Sequence, residues 1–246
     1  MKILLVGDIH ASEYYMNRAM DHADEVGAER VFFLGDFGWT FESKFLEACD
    51  AAADRTGLNV EFIDGNHEDF DFLLSLPVDD DGIRRVSDKV HHIPRGTVME
   101  LDGHHVLFMG GGVSVDKGWR IPHYDWWPQE EVTSEDYHRA IENAEGKDIH
   151  AVFAHDTPVL PKLSNKGPGS YFPTDALNDS AAHMALMKLV ALEHQPKRWY
   201  HGHHHVRQTT TLSLEYGDLI VDCLDRDESP LRDNVILVDT DDWYAD

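Results

Sequence analysis

At 246 residues, 42% of them apolar and 27% charged, the chain has the make-up of a globular protein that buries a core without disulfides. Its formal net charge of −25 repels duplex DNA and other polyanions at long range, and no run of about 18 apolar residues is present to span a membrane. The only cysteines, Cys49 and Cys223, lie in apolar settings that read as buried thiols, which points to a reducing, cytoplasmic location.

The chain opens on Ile3-Leu4-Leu5-Val6, a buried-strand run with neither the apolar length nor the cleavage site of a signal peptide. Ser12 is placed to cap a helix to about Val26, with Tyr15, Met16, Ala19, Met20 and Ala23 along one side. A second strand, Val31-Phe32-Phe33-Leu34, precedes a helix that Thr40 would cap, running to about Asp54 and burying Phe45, Cys49 and Ala52. Val60–Ile63 and, much later, Ala151–Ala154 repeat the buried-strand pattern. Asp79-Asp80-Asp81-Gly82 reads as a solvated loop. Further strands are expected at Val98–Leu101, Val106–Met109, Thr209–Leu214, Leu219–Cys223 and Val235–Val238. A long helix is expected over Ala176–His194, with Ala181, Met184, Ala185, Lys188 and Leu192 at mixed spacing. Strand–helix alternation in the first half implies parallel strands with crossover helices. No Pro/Gly/Ser linker divides the chain. The expectation is a single domain over residues 1–246, of α/β class, with two mixed β-sheets packed together and flanked by helices.

Five polar blocks punctuate this pattern: Asp8-Ile9-His10, Gly35-Asp36, Gly65-Asn66-His67-Glu68, His155-Asp156 and Gly202-His203-His204-His205. The first four follow buried-strand runs directly, so they fall at carboxyl ends, where parallel sheets bind ligands. In an extended segment residues i and i+2 face the same way, which would turn Asp8 with His10, and His203 with His205, toward one point. Asp, His and Asn without cysteine suit divalent first-row metals of intermediate softness. Two such ions about 3.5–4 Å apart clamp a phosphoryl group and generate a hydroxide nucleophile.

The ordered blocks, from residue 8 to residue 205, resemble the calcineurin-like metallophosphoesterases, whose fold is a pair of mixed sheets between helices. The resemblance implies that Asp8, His10, Asp36 and His205 hold one metal. It implies that Asp36, Asn66, His155 and His203 hold the other, with Asp36 bridging and His67 as general acid toward the leaving oxygen. Manganese is the expected ion, with iron or zinc as substitutes. One departure matters. The family's protein phosphatases carry an Asp-Arg pair three and four residues after the second-block Asp, where this chain has Trp39 and Thr40.

Residues 110–130 resemble an insertion of small single-domain bacterial and bacteriophage members. They hold three of the six tryptophans, Trp119, Trp126 and Trp127, together with Lys117 and Arg120. One reading is a substrate wall in which Trp126 and Trp127 stack and Arg120 or Lys117 meets phosphate, with Asn66 contributing; the other is a packed cover. Residues 162–170 either line the same cleft or merely connect. The expected activity is hydrolysis of small phosphodiesters such as cyclic nucleotides. A phosphomonoesterase is the alternative, and a non-catalytic metal-binding scaffold a more distant one.

Overall fold

Short apolar runs separated by amphipathic helices pair as that alternation requires. The computed structural model describes residues 1–162 and 172–243. β1 (Lys2–Val6), β2 (Arg30–Leu34) and β3 (Val60–Ile63) lie parallel and adjacent, joined by α1 (Glu13–Val26) and α2 (Ser43–Thr56). After the short α3 (Phe70–Ser75), β4 (Arg84–Arg85) and β5 (Val90–His92) continue this sheet beyond β3. The chain then builds a second sheet from β6 (Thr97–Leu101), β7 (His104–Met109), β8 (Ile149–Ala154), β9 (Arg198–His201), β10 (Gln208–Leu214) and β11 (Gly217–Cys223). Its order is β10-β11-β9-β8-β7-β6. α4 (Ser134–Ala144) and α5 (Thr174–His194) connect within it. After α6 (Leu231–Asn234), β12 (Val235–Asp239) returns to the first sheet antiparallel to β1 and leads into α7 (Thr240–Trp243). The first sheet thus reads β12-β1-β2-β3-β5-β4.

Period-two alternation divides each strand between two cores. Leu4, Val6, Val31 and Phe33 face α1 and α2. Ile3, Leu5, Phe32 and Leu34 face the second sheet, meeting Val106, Phe108, Phe153 and Tyr200. On the far side, Leu107, Val152 and Trp199 pack under Ala140 and Ala144 of α4 and Met187, Val190 and Ala191 of α5. The result is helix, sheet, sheet, helix.

Local chemistry sets the helix ends. Ser12 accepts the Tyr15 backbone N–H at 3.3 Å and caps α1, which buries the expected face of Tyr15, Met16, Ala19, Met20 and Ala23. Thr133 and Asp136 form a reciprocal capping box on α4, a helix absent from the sequence reading. The Thr40 cap does not form. α2 starts at Ser43 because Phe41, at φ 49°, turns the chain to bury its ring against Phe62 and Phe72. The mixed spacing on α5 resolves into buried positions at Ala176, His183, Met187, Val190 and Ala191, while Ala181, Ala185 and Lys188 are exposed. Asp79 and Asp81 pair with Arg85 at the surface, consistent with a solvated loop. No helix of the described residues is long and apolar enough to cross a membrane.

The inter-sheet core is where a truncation costs most. Phe153 is fully buried, with ring centroids of Phe32, Phe108 and Tyr200 within 5.4–5.6 Å. Phe153→Ala is expected to cost about 3–5 kcal/mol. Urea unfolding should show this as a lower midpoint at unchanged slope.

Candidate metal centre

Every polar block sits just beyond the carboxyl end of a strand: Asp8 after β1, Asp36 after β2, Asn66 after β3, His155 after β8 and the histidine run after β9. Side chains far apart in sequence therefore meet at one edge of the two sheets. The route is not extended alternation. His10, Asp36, His203 and His205 all take positive φ, between 46° and 65°, so tight left-handed turns aim them. Two glycines make room for the carboxylates. A Cβ on Gly202 would lie 2.0 Å from an Asp8 carboxylate oxygen, and one on Gly65 would lie 2.2 Å from Asp36 Oδ1.

One group of donors is Asp8, His10, Asp36 and His205, whose ligand atoms all lie within 4.8 Å of one another. His205 Nε2 is 2.9 Å from Asp8 Oδ2, and His10 Nε2 is 3.6 Å from Asp36 Oδ2. His10 directs its other nitrogen, Nδ1, to Asp227 at 3.0 Å, which leaves Nε2 to face the carboxylates. The second group surrounds the other oxygen of Asp36. His155 Nε2 lies 3.4 Å from Asp36 Oδ1 and 3.0 Å from Asn66 Oδ1. The His203 ring is 4.9 Å from that of His155. A Cβ on Gly112 would meet His155, Asn66 and His203 together at 3.0–3.3 Å, so its absence leaves a cradle over all three.

The hydrogen bonding tests whether a cation fits here. His155 Nδ1–H donates to the Leu34 carbonyl at 2.8 Å, which leaves a lone pair on Nε2 of the neutral ring. The Asn66 amide nitrogen donates to Ser114 Oγ at 3.0 Å, and Ser114 Oγ donates to Glu130 at 2.7 Å. The Asn66 carbonyl oxygen is thereby turned toward His155. Three acceptors, Nε2 of His155, Oδ1 of Asn66 and Oδ1 of Asp36, converge with no hydrogen among them. A divalent cation satisfies all three; without one, a proton on His155 is the substitute. Burial opposes that proton, but Asp36 and Asp8 outweigh it and raise the His155 pKa. The residues fit two cations, with Asp36 presenting one oxygen to each.

His67 stands beside this centre, its Nε2 4.0 Å from Asp36 Oδ2 and its ring tilted against Trp39 at 5.0 Å. Burial, with Arg120 and His10 alongside, lowers its pKa below the ordinary imidazole value. Arg120 Nη1 donates to His67 Nδ1 at 2.9 Å. Asp116 grips the same guanidinium with both oxygens at 2.8 Å. Arg120 thus reaches the site by way of His67. Trp127 is buried as part of a packed cover and Trp126 is half-buried, whereas Trp119 and Tyr124 are exposed. All of the 162–170 loop but Lys162 lies outside the described residues.

Several contributors had no role in the sequence reading. Asp227 lies in no motif and meets His10 only because the fold brings them together, whereas Ser114, Asp116 and Glu130 lie in the 110–130 segment, Asp116 only one helical turn's length before Arg120. Glu68 was visible in the third block but had no role; its carboxylate accepts the backbone N–H groups of Phe37 and Gly65 at 2.7 and 2.6 Å, tying the second and third blocks together. Asp156, fully buried, accepts from His183 at 2.7 Å and His204 at 3.1 Å. With His203 these make a second group of possible donors, but the Asp156 carboxylate already accepts from His183, His204 and the Thr157 backbone N–H.

The fold and this centre define a metallophosphoesterase. The chain belongs to the calcineurin-like phosphoesterase family, whose sequence model matches residues 1–207, and it is a hydrolase of phosphoric ester bonds. Residues beyond the match complete both sheets with β10, β11 and β12. Among solved structures, the chain is similar to the TT1561 protein of Thermus thermophilus, at 14% identity and TM-score 0.58 over 92% of this chain and 89% of that one. It is also similar to a dimetal phosphatase from Danio rerio, at 13% identity and TM-score 0.54 over 94% and 90%. At these identities the likeness is one of fold. A search of curated proteins finds no match.

Glu130 gives a pH signature. Burial pushes its carboxyl up from 4.5 to about 7, against the bonds from Ser114 that lower it. The folded chain then holds this proton more tightly than the unfolded chain. Its contribution to stability is complete below about pH 4.5 and is lost as pH rises through 7. For metal-free protein, the melting temperature of Glu130→Gln relative to the parent should rise between pH 5 and pH 8. A constant offset would contradict the assignment.

Proposed function

We propose that this chain is a two-metal phosphodiesterase for small substrates, manganese being the preferred ion. The donor set supports two hard-to-intermediate cations: carboxylate and amide oxygens with imidazole nitrogens and no thiolate. When bound, two such ions neutralise phosphoryl oxygens and acidify a water. Asp8, His10, Asp36 and His205 would hold one, and Asp36, Asn66, His155 and His203 the other.

The preference for diesters is carried by Arg120. A guanidinium has five N–H groups, and four of them are directed at protein acceptors. Nε and Nη2 go to Asp116, and Nη1 goes to the Asp125 carbonyl and to His67 Nδ1, while Nη2 also lies 3.4 Å from His67 Nε2. One Nη2 hydrogen remains, on a guanidinium whose charge Asp116 already neutralises. Trp39 and Thr40 occupy the positions where the family's protein phosphatases have Asp and Arg. A monoester dianion therefore gains no extra cation from these residues, while a singly charged diester needs none.

The shorter of the two His67 contacts fixes its tautomer. Nδ1 accepts from Arg120, so the ring proton is on Nε2, the nitrogen turned toward Asp36. From there His67 delivers a proton to the departing oxygen. The exposed rings of Trp119 and Tyr124 flank Arg120 in sequence and offer an apolar wall for the organic part of the substrate.

On manganese-loaded protein, kcat/KM for bis-nitrophenyl phosphate should exceed that for nitrophenyl phosphate, and exhaustive chelation should abolish both. A higher value for the monoester, or for a phosphopeptide, would sink the diester reading. Activity that survives chelation would sink the metal reading.

His67→Ala should retain its metals and slow hydrolysis of diesters with poor leaving groups by about 10²–10⁴-fold. Nitrophenolate departure should suffer less, because it needs little protonation. Equal loss for both leaving groups would argue against proton delivery.

A further inference from the structure

A cavity of about 270 Å³ opens away from the metal centre, between α3, the β4–β5 hairpin and the start of α4. Its walls divide by chemistry. Phe70, Leu73, Leu74 and Pro94 form an apolar side, and Leu74 is 47% exposed at a position where a leucine gains nothing from solvent. Arg84, Arg95 and Arg139 form the other side. The whole chain has only 21 lysines and arginines against 46 acidic residues, so three arginines lining one cavity run against its field.

Two of the three are balanced. Arg95 donates to Asp64 at 2.7 Å and lies 3.3 Å from Asp136. Arg139 pairs with Asp136 at 3.0 Å. Arg84 has no carboxylate partner among the described residues. Its Nε donates to the Leu76 carbonyl at 3.3 Å and its Nη1 to His92 Nδ1 at 3.3 Å, and Nη2 has no acceptor among the described residues. His92 cannot compensate, because its other nitrogen, Nε2, faces Asp64 at 3.0 Å and its ring is buried. The cavity therefore carries three guanidinium groups against two carboxylates, an excess of one positive charge. A partly buried guanidinium without a counter-ion is costly, and its planar fork matches a carboxylate.

We propose that this cavity binds a small organic monocarboxylate, its charge on Arg84 and its compact apolar body against Phe70, Leu73 and Leu74. One excess cation favours a single negative charge over a phosphate dianion. The volume sits near the lower end for small-molecule sites and admits a body about the size of one aromatic ring. The cavity is separate from the metal ligands but shares their frame. Asp64 precedes Gly65-Asn66, and Arg95 also donates to the Glu130 carbonyl at 3.0 Å, Glu130 being the residue that holds Ser114 against Asn66.

The test is calorimetric titration of metal-free protein with phenylacetate, so that the metal centre does not compete for the probe. Saturable one-to-one binding is expected. Arg84→Gln should weaken it by about tenfold or more, the loss of one charge-assisted hydrogen-bonded pair. Leu74→Glu changes an exposed position and leaves the fold intact, yet sets a negative charge at the mouth; it should weaken binding as well. Both variants should keep the parent's activity toward bis-nitrophenyl phosphate in the absence of phenylacetate. Phenylacetamide, of equal shape without the charge, should not bind. Absence of saturable binding, equal binding of the amide, tighter binding of inorganic phosphate, or affinity unchanged in both variants would overturn the proposal.

Discussion

Two carboxylates, Asp8 and Asp36, are buried at the ends of adjacent parallel strands, and the rest of the site follows from the need to keep both ionised there. Burial works against ionisation in each case, and each carboxylate works against the other. The histidines overcome this: His205 and His155 for Asp8, and His155, His67 and His10 for Asp36. Backbone donors assist. Asp36 Oδ1 accepts the N–H groups of Asn66 and His67 at 2.9 Å, and Asp8 accepts that of His203 at 3.1 Å. A pair of buried like charges held this firmly is stable only with positive charge between its outward oxygens. Protons on imidazole can supply it, and so can divalent cations. The same arrangement that solves an electrostatic problem for the fold therefore also gathers the donors of a candidate metal centre.

The polar blocks were legible because each is short, contiguous and punctuated by glycine after a strand. A single local pattern encodes both the strand and the turn that ends it. The parallel order of β1, β2 and β3 was legible for the same reason. What escaped was whatever depended on distant partners. The i, i+2 logic brought His203 and His205 to the right place by the wrong conformation, since nothing local announces that both residues take positive φ. On α5 the apolar residues are spread around the helix, so composition alone does not say which side the second sheet will cover. Contact with the sheet selects Met187, Val190 and Ala191. Asp227 is one acidic residue among many in an acidic chain, and only its 3.0 Å approach to His10 distinguishes it.

Residues 110–130 show how a segment outside the ligand motifs takes part in the site. Gly112 leaves the cradle over His155, Asn66 and His203; Ser114 turns the Asn66 amide; Arg120 reaches His67. Glu130 closes the segment by holding both the backbone and the hydroxyl of Ser114. The buried Trp127 behaves as the packed cover that the sequence allowed, and the exposed rings lie earlier in the segment. One strap thus touches the centre through both Asn66 and His67. Its rigidity bears on both.

The strap also shows why residue type alone does not settle a role. An arginine in an active-site insertion invites assignment to phosphate, because guanidinium is the usual partner of that group. Arg120 has the right position, but four of its five donors are engaged. Asp116 neutralises its charge with a two-pronged contact, and His67 takes the remaining face. What the guanidinium transmits is geometry: it holds the imidazole by Nδ1 and leaves Nε2 facing the carboxylates. On the proposed reading, substrate charge is then met by the metal ions, in a protein whose overall field opposes anions. Each additional negative charge on a substrate deepens that opposition without finding a further cation on Arg120. On that reading, selectivity for the less charged ester rests on a guanidinium whose charge Asp116 already neutralises.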